Sequence, residues 1–148
     1  MEFNIEIYRN VGPLFFGMNQ QQVIQVLGHV DRTNNSDPDI VKIHCLPYSL
    51  LAHIRRDTDQ LCEVGFGHRA SNVRLDGIHF FEHPPLQVIQ NLLARDSTAK
   101  AGSGSIVFPM LGISLTGFQT GDDNSRTMTV FVEGYWDSVL PGMAPLKM

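Results

Sequence analysis

The chain lacks the features that mark several large classes of protein. Its 148 residues include 11 lysines and arginines against 15 aspartates and glutamates, for a formal charge of −4. A nucleic-acid-binding protein carries a basic patch, so this balance argues against a nucleic-acid partner. No hydrophobic run approaches the roughly 18 residues that a membrane-spanning helix needs. We therefore expect neither nucleic acid nor membrane among its partners.

The opening segment, MEFNIEIYRN, lacks the basic start and apolar run of a secretion signal. The two cysteines, Cys45 and Cys62, are too few for a disulfide framework, and reduced structural thiols are the default expectation. The spacing leaves open whether they face each other on neighbouring strands. These features predict a cytoplasmic protein.

One segment of the chain occurs twice. Residues 13–28 read PLFFGMNQQQVIQVLG and residues 78–93 read IHFFEHPPLQVIQNLL. Chance gives about one identity in such a window, so we interpret the pair as a duplicated unit. The alternative is two helices that converged on one amphipathic pattern. At a constant spacing of 65, the identities are Gly12/Gly77, Phe15/Phe80, Phe16/Phe81, Gln22/Gln87, Val23/Val88, Ile24/Ile89, Gln25/Gln90 and Leu27/Leu92.

Each copy predicts one short amphipathic helix. In the first copy Asn19 is a helix cap, with Gln22 at the reciprocal capping-box position. Gly28 supplies the stop. In the second copy Pro84 and Pro85 replace the cap, which suits a first helical turn because no hydrogen bond is lost there.

Strand-like segments follow each helix. Residues 40–46, 50–55 and 61–66 predict a three-stranded meander after the first helix, and residues 106–109, 112–118 and 126–132 predict strands after the second. Residues 31–38 and 97–105 are expected to be loops, and the C-terminal tail to be loose.

The expected fold is α+β. Tandem helix-plus-antiparallel-meander repeats, residues 1–70 and 71–148, are predicted to form one compact unit. In this unit the meanders join into one twisted sheet, with the helices packed on one face.

The sequence carries no recognisable catalytic or metal-binding set. The six histidines are scattered, and none belongs to an H-E-x-x-H motif or a zinc-site spacing. His44 and Cys45 are strand neighbours and should point to opposite faces, so they cannot act as a pair. Asp122-Asp123-Asn124 has calcium-like residue types without the remaining ligands. We therefore predict no enzymatic activity, no metal and no cofactor.

The candidate functional residues are surface residues. Two pairs of aspartates lie on hairpin tips at equivalent positions and are expected to form a carboxylate-bearing rim along one sheet edge, unless they are ordinary turn residues. Two aromatic residues after the last strand could anchor a partner, unless Trp136 is a core aromatic. The predicted partner-binding residues are Asp57, Asp59, Asp122, Asp123, Tyr135 and Trp136.

The first copy resembles a known family. Phe16-Gly17-Met18-Asn19, followed by Val23 and Leu27-Gly28, is similar to the entry motif of small outer-membrane-assembly lipoproteins of the SmpA/OmlA type. It also resembles the tandem-repeat β-lactamase inhibitor protein. The resemblance implies a shared helix-and-sheet unit, although this chain has neither the export signal nor the lipid-anchor cysteine of the lipoproteins.

The second half resembles small bacterial proteins encoded beside polymorphic toxins. The matching segments are Phe108-Pro109, Gly112 to Leu115, and Gly134-Tyr135-Trp136-Asp137, where Trp136 stands in place of the usual second tyrosine. The resemblance implies an immunity protein that neutralises a toxin domain, and the negative charge would suit a basic target such as a nuclease. The alternatives are a small-ligand-binding protein or enzyme with a pocket between helices and sheet, and an envelope-assembly subunit.

Overall fold

The computed structural model describes residues 1–120 and 123–146. In this part the chain forms two α-helices, α1 (Gln20–Leu27) and α2 (Pro85–Leu93), together with short 3₁₀ turns at Leu46–Tyr48, Asp123–Ser125 and Leu140–Gly142. The strands are β1 (Phe3–Glu6), β2 (Asn10–Val11), β3 (Leu14–Phe15), β4 (Arg32–Asn34), β5 (Ile40–Cys45), β6 (Leu50–Arg55), β7 (Gln60–Gly67), β8 (Val73–Leu75), β9 (Ile78–His79), β10 (Lys100–Gly102), β11 (Ser105–Phe108), β12 (Ile113–Thr116), β13 (Thr127–Phe131) and β14 (Ala144–Pro145).

These strands form two mostly antiparallel sheets. The larger has nine strands in the order β14-β10-β11-β12-β13-β7-β6-β5-β4, and the smaller has five in the order β3-β2-β1-β8-β9. The fold is thus α+β and dominated by sheet, as predicted. The sequence predicted one sheet, whereas the structure has two, because the segments before each helix pair with one another through the parallel β1–β8 contact.

The two halves of the chain meet at the centre of the larger sheet. There β7 and β13 pair antiparallel, with Val64 opposite Val130 and Phe66 opposite Met128. All four side chains are buried. Because the pairing is antiparallel, the start of one strand lies beside the end of the other, so hairpin turns at equivalent positions in the two halves point to opposite ends of the sheet.

Helix α1 begins and ends where the sequence predicts. The Asn19 side chain accepts from the Gln22 backbone and the Gln22 side chain accepts from the Asn19 backbone, both at 2.9 Å, which completes the capping box. Gly28 closes the helix in the left-handed conformation with φ 71°. Helix α2 has Pro84 before its first turn and no side-chain cap.

One apolar cluster contains the buried faces of both helices and of the larger sheet. Its helical members are Val23, Leu27, Val88, Ile89 and Leu92. In β5 and β6 the burial alternates strictly along the strand. Each fully buried aliphatic or aromatic side chain stabilises the folded state by roughly 1.5–3 kcal/mol, so this cluster fixes the positions of the sheet and both helices.

Three segments expected to be irregular contain strands. Arg32–Asn34 forms the edge strand β4, and Lys100–Gly102 pairs with β11 through a turn in which Ser103 and Gly104 have φ of 53° and 81°. The tail adds β14 to the edge of β10, and Leu146 packs against the core. Strands of two or three residues are too short to show a hydrophobic period, so only their pairing partners reveal them.

Candidate partner-binding surface

The nine-stranded sheet turns one face to the core and the other away from it; we call the second the outer face. In β5 and β6 the side chains of Val41 and Ala52 are buried on the core side. Lys42 and His53, which pair across these strands, lie on the outer face. Because side chains alternate along a strand, the pairing register assigns each strand residue to one face or the other.

The first half of the outer face is rich in basic side chains. Lys42 lies opposite His53, and Arg32 lies opposite His44 with a guanidinium nitrogen 3.4 Å from the His44 Nε2. Burial, and then the charge of Arg32, lower the pKa of His44. Arg55 places its guanidinium 5.7 Å from the centre of the Tyr135 ring.

A buried acid and a histidine pair at the centre of this face. The His53 Nδ1 lies 3.2 Å from the Glu63 Oε1, and the two side chains are only 17% and 10% exposed. Burial raises the pKa of Glu63 to about 7 and lowers the pKa of His53 to about 4, since each loses solvation of its charged form. Near neutral pH the imidazole is therefore largely uncharged, and the contact is not a full ion pair.

Beside this pair lies a shallow groove of about 280 Å³, which we call the central groove. Gly65 lies in β7 at its floor, between Leu51 of β6 and Thr129 of β13. A Cβ atom at Gly65 would meet the Thr129 methyl at 3.6 Å, an ordinary contact. The groove therefore exists because β7 carries no side chain at this position, not because the backbone requires glycine.

The second half of the outer face carries mainly hydroxyl groups, together with Lys100 opposite Val107. Ser105 and Thr116 are paired across β11 and β12, with their hydroxyl oxygens 2.9 Å apart. Ser114 and Thr129 are paired across β12 and β13 and also share a hydrogen bond. The two halves of one sheet thus present different chemistry on the same face.

Acidic residues gather where β5, β6, β7 and β13 start or end. Ile40 pairs with Arg55, Arg55 pairs with Gln60, and the Val132 nitrogen donates to the Cys62 carbonyl at 2.9 Å, which brings these strand ends together. We call residues 37–39, 56–59 and 132–137 the acidic end. These segments hold six acids, Asp37, Asp39, Asp57, Asp59, Glu133 and Asp137, and one base, Arg56.

Only part of the predicted carboxylate rim comes together. Asp57 and Asp59 lie in the β6–β7 turn, at the acidic end. Asp123 opens the 3₁₀ turn before β13, and Thr127 of β13 pairs with Gly67 at the end of β7, so this connection lies at the opposite end of the sheet. Asp122 lies outside the described residues. The expectation of one shared rim was wrong, because the antiparallel join of β7 and β13 reverses the second half.

Two acids of the acidic end also have local structural roles. Asp59 has φ 51°, and its Oδ1 accepts from the Gln20 backbone at the start of α1 at 3.1 Å. Asp37 accepts from the backbone nitrogens of Asp39 and Ile40 at 2.8 and 3.2 Å. The Asp39 hydrogen bond is the main reason that the pKa of Asp37 is lowered. Asp59 therefore supports the start of α1, whereas Asp57 is exposed in the same turn.

The structure brings Tyr135 and Trp136 to the same end as Asp57. Both are half-buried, and both rings lie against Phe131, with centroid distances of 6.3 and 6.1 Å. Burial, and then the nearby Glu63, raise the pKa of Tyr135. The indole Nε1 of Trp136 is buried and has no hydrogen-bond partner within the described part of the chain. Trp136 is thus neither a closed core residue nor a freely exposed anchor.

Sequence reasoning missed three residues beside Trp136. Tyr8, Glu133 and Asp137 line a cleft of about 410 Å³ together with Phe131 and Trp136. Glu133 and Asp137 flank the aromatic pair in sequence and could have been found from that proximity. Tyr8 is more than a hundred residues away, and no sequence signal linked it to this site.

The two cysteines lie inside the sheet and are not part of this surface. Cys45 and Cys62 are buried free thiols on β5 and β7, which β6 separates. Burial raises the pKa of Cys62 to about 11. Within residues 1–120 and 123–146, no group of three or more histidine, cysteine, aspartate or glutamate side chains is arranged to hold a metal ion.

We compared the chain with protein families, curated proteins and solved structures. No protein-family model, no curated protein and no solved structure matches this chain. In the described part of the chain, neither helix has the length and apolar character needed to cross a membrane. The functional argument therefore depends on the site itself.

Proposed function

We propose that this chain is a non-catalytic immunity protein that binds and neutralises a cognate bacterial toxin or effector domain in the cytoplasm. The observation that carries the proposal is the acidic end, where exposed Asp39 and Asp57 lie at the same end of the sheet as Glu133, Asp137 and the half-buried ring of Trp136. Interfaces commonly combine an aromatic anchor with a charged rim, and this end of the sheet supplies both.

Charge gives the proposed interface a preferred target. An acidic surface attracts a basic partner and accelerates their encounter, as expected for a toxin domain such as a nuclease. The acids are held on the ends of paired strands, so little conformational entropy is lost when a partner binds. We propose that the free protein is a monomer or homodimer and that its tight complex with the toxin has 1:1 stoichiometry.

The proposal includes the tandem-repeat architecture with helices on one face of the larger sheet. Two features support the duplication. In the larger sheet the first half supplies four strands on one side of the β7–β13 join and the second half supplies five on the other, and in the smaller sheet β2-β3 and β8-β9 lie on either side of β1. Each half also has its helix between these two groups of strands.

Co-expression with the protein encoded by the adjacent gene tests the function. We expect that protein to arrest growth when it is expressed alone and to form a 1:1 complex with this chain that restores growth. If the neighbour is toxic and this chain neither binds it nor protects the cells, the immunity function is wrong.

Charge-matched variants test the surface. Asp39→Asn with Asp57→Asn removes two exposed acids from the acidic end, and Asp76→Asn with Glu82→Gln removes two exposed acids elsewhere. At low salt we expect the first pair to slow association with the purified toxin about three- to tenfold and the second pair to have a much smaller effect. Equal effects would assign the role to net charge rather than to this end of the sheet.

The His53–Glu63 pair favours a second candidate, a small-ligand site in the central groove. Buried titratable pairs beside a cavity often mark functional sites. Thermal unfolding in the presence of metabolites and metal ions tests this function, since a ligand at a hundred times its Kd adds about 2.7 kcal/mol. The shift should disappear in the His53→Gln variant if the ligand binds beside this pair.

A further inference from the structure

The cleft beside Trp136 combines aromatic rings with unpaired carboxylates. The centres of the Tyr8 and Trp136 rings lie 6.3 and 6.1 Å from the centre of the Phe131 ring. The Tyr8 hydroxyl donates to the Pro109 carbonyl, which fixes this ring against the β11–β12 connection. Glu133 and Asp137 line the same cleft. The site therefore joins residues from the first strand connection, the second half and the tail.

The electrostatic character of the cleft is negative. Within the described residues, Glu133 and Asp137 are exposed and form no ion pair. Burial, and then the charges of Glu133 and Asp137, raise the pKa of the Tyr8 hydroxyl. Within residues 1–120 and 123–146, no basic side chain lines this cleft. A cation would therefore gain both from the carboxylates and from the faces of the rings.

We propose that this cleft binds an arginine side chain of a basic protein partner. A guanidinium is planar, so it can stack on an aromatic ring while it donates paired hydrogen bonds to a carboxylate. The volume of about 410 Å³ is sufficient for such a side chain and part of its backbone. This inference rests on the proposed toxin-binding function and names the contact that anchors the partner.

The shape of the charged group distinguishes an arginine from a flexible polyamine. A guanidinium is planar, so it can lie against an aromatic ring while it donates to Glu133 or Asp137. A polyamine carries separate ammonium groups on a flexible chain, so it can satisfy the carboxylates without stacking on a ring.

The single tryptophan makes the test direct, because Trp136 alone gives the indole signal of this chain. The probe is a capped Gly-Arg-Gly peptide, compared with the same peptide carrying the uncharged isostere citrulline and with spermidine. We expect the arginine peptide to shift the Trp136 indole N–H resonance saturably. The citrulline peptide should bind at least about tenfold more weakly, since it lacks the charge that carboxylates and rings attract.

Two double variants localise the binding. Glu133→Gln with Asp137→Asn should weaken the arginine peptide about tenfold, while Glu2→Gln with Glu82→Gln, which changes the net charge equally, should leave its affinity unchanged. The unchanged dispersion of the other amide signals checks that both variants fold.

Equal binding of the arginine and citrulline peptides, equal effects of the two variants, or a larger indole shift with spermidine would each overturn the proposal. None of these results requires the toxin. The immunity function could thus survive loss of the cleft proposal, and a failed co-expression test would leave the peptide result standing.

Discussion

The two similar segments, residues 12–28 and 77–93, share eight identities, yet several of the identical residues have different environments. Phe80 of the second copy is completely buried, whereas its equivalent Phe15 is 40% exposed beneath the guanidinium of Arg9. Gly12 has φ 58° in a crowded turn, whereas Gly77 lies in open space with an ordinary φ. The helical positions are more alike, as Leu27 and its counterpart are both buried.

These comparisons show which positions are alike in the two halves of the chain and which differ. The buried helix positions serve packing, which both halves need. The side chains on the outer face differ between the two halves. The strands β6 and β7 carry the His53–Glu63 pair, whereas β12 and β13 carry Ser114 and Thr129. The predictions below compare matched positions in the two halves.

The largest contrast is expected at the first phenylalanine of each copy. Phe80→Ala should lower the free energy of unfolding by about 3–5 kcal/mol, because it leaves a cavity in the core. Phe15→Ala should cost about 1 kcal/mol, since this ring already contacts solvent. Urea denaturation with a common m-value measures both. Similar losses would mean that the two phenylalanines have the same environment in solution.

The pH dependence of stability should differ between the two outer-face pairs. The folded-state pKa of Glu63 is about 7, above its ordinary value of 4.5, so its contribution falls as pH rises between them. The folded-state pKa of His53 is about 4, below its ordinary 6.5, so its contribution rises over that window. Each contribution is of order 2–3 kcal/mol, and in the native protein they oppose each other beside Lys42.

Single variants should expose each contribution. Relative to the native protein, His53→Gln should lose stability as pH rises from about 4 to 6.5, and Glu63→Gln should gain stability from about 4.5 to 7. Ser114→Ala with Thr129→Val is the control, since it removes no titratable group. Chemical denaturation across this pH range measures the slopes, and slopes of the same sign for the two single variants would contradict the assigned pKa directions.

The two turn glycines should respond oppositely to alanine. Gly12→Ala should cost more than about 2 kcal/mol, because its left-handed φ disfavours a side chain and the new Cβ would lie 2.4 Å from the Glu2 carbonyl oxygen. Gly77→Ala meets no atom within 4 Å and should stabilise by about 0.5 kcal/mol. Thermal unfolding ranks them, and a stabilised Gly12→Ala variant would show that this turn can relax.

The smallest expected contrast concerns the helix starts. Asn19→Ala removes the capping box of α1 and should cost about 1 kcal/mol. Pro84→Ala at α2 removes no side-chain cap and should cost less. Urea denaturation compares the two, and an equal cost would indicate that the Asn19 cap contributes nothing net to stability.

Sequence patterns predicted the candidate site only in part. The Asp57–Asp59 turn and the Tyr135–Trp136 pair were found because turns and aromatic residues have local signatures. The residues that surround them in the folded protein could not be predicted. Tyr8 reaches the cleft through a long-range contact with Pro109, and the second aspartate pair lies at the far end of the sheet. The positions of Tyr8 and of the second aspartate pair both depend on contacts between segments that are far apart in sequence.

The sequence by itself determined the two helices, the bounds of α1 and the alternating burial of β5 and β6. It could do so because caps, glycine stops and hydrophobic periods act over a few residues. Only the tertiary structure decided that there are two sheets, that β7 joins β13 antiparallel, and that Glu133 lies beside Tyr8. Those outcomes depend on which distant strand edges pair, and the burial gained by the whole chain sets that choice.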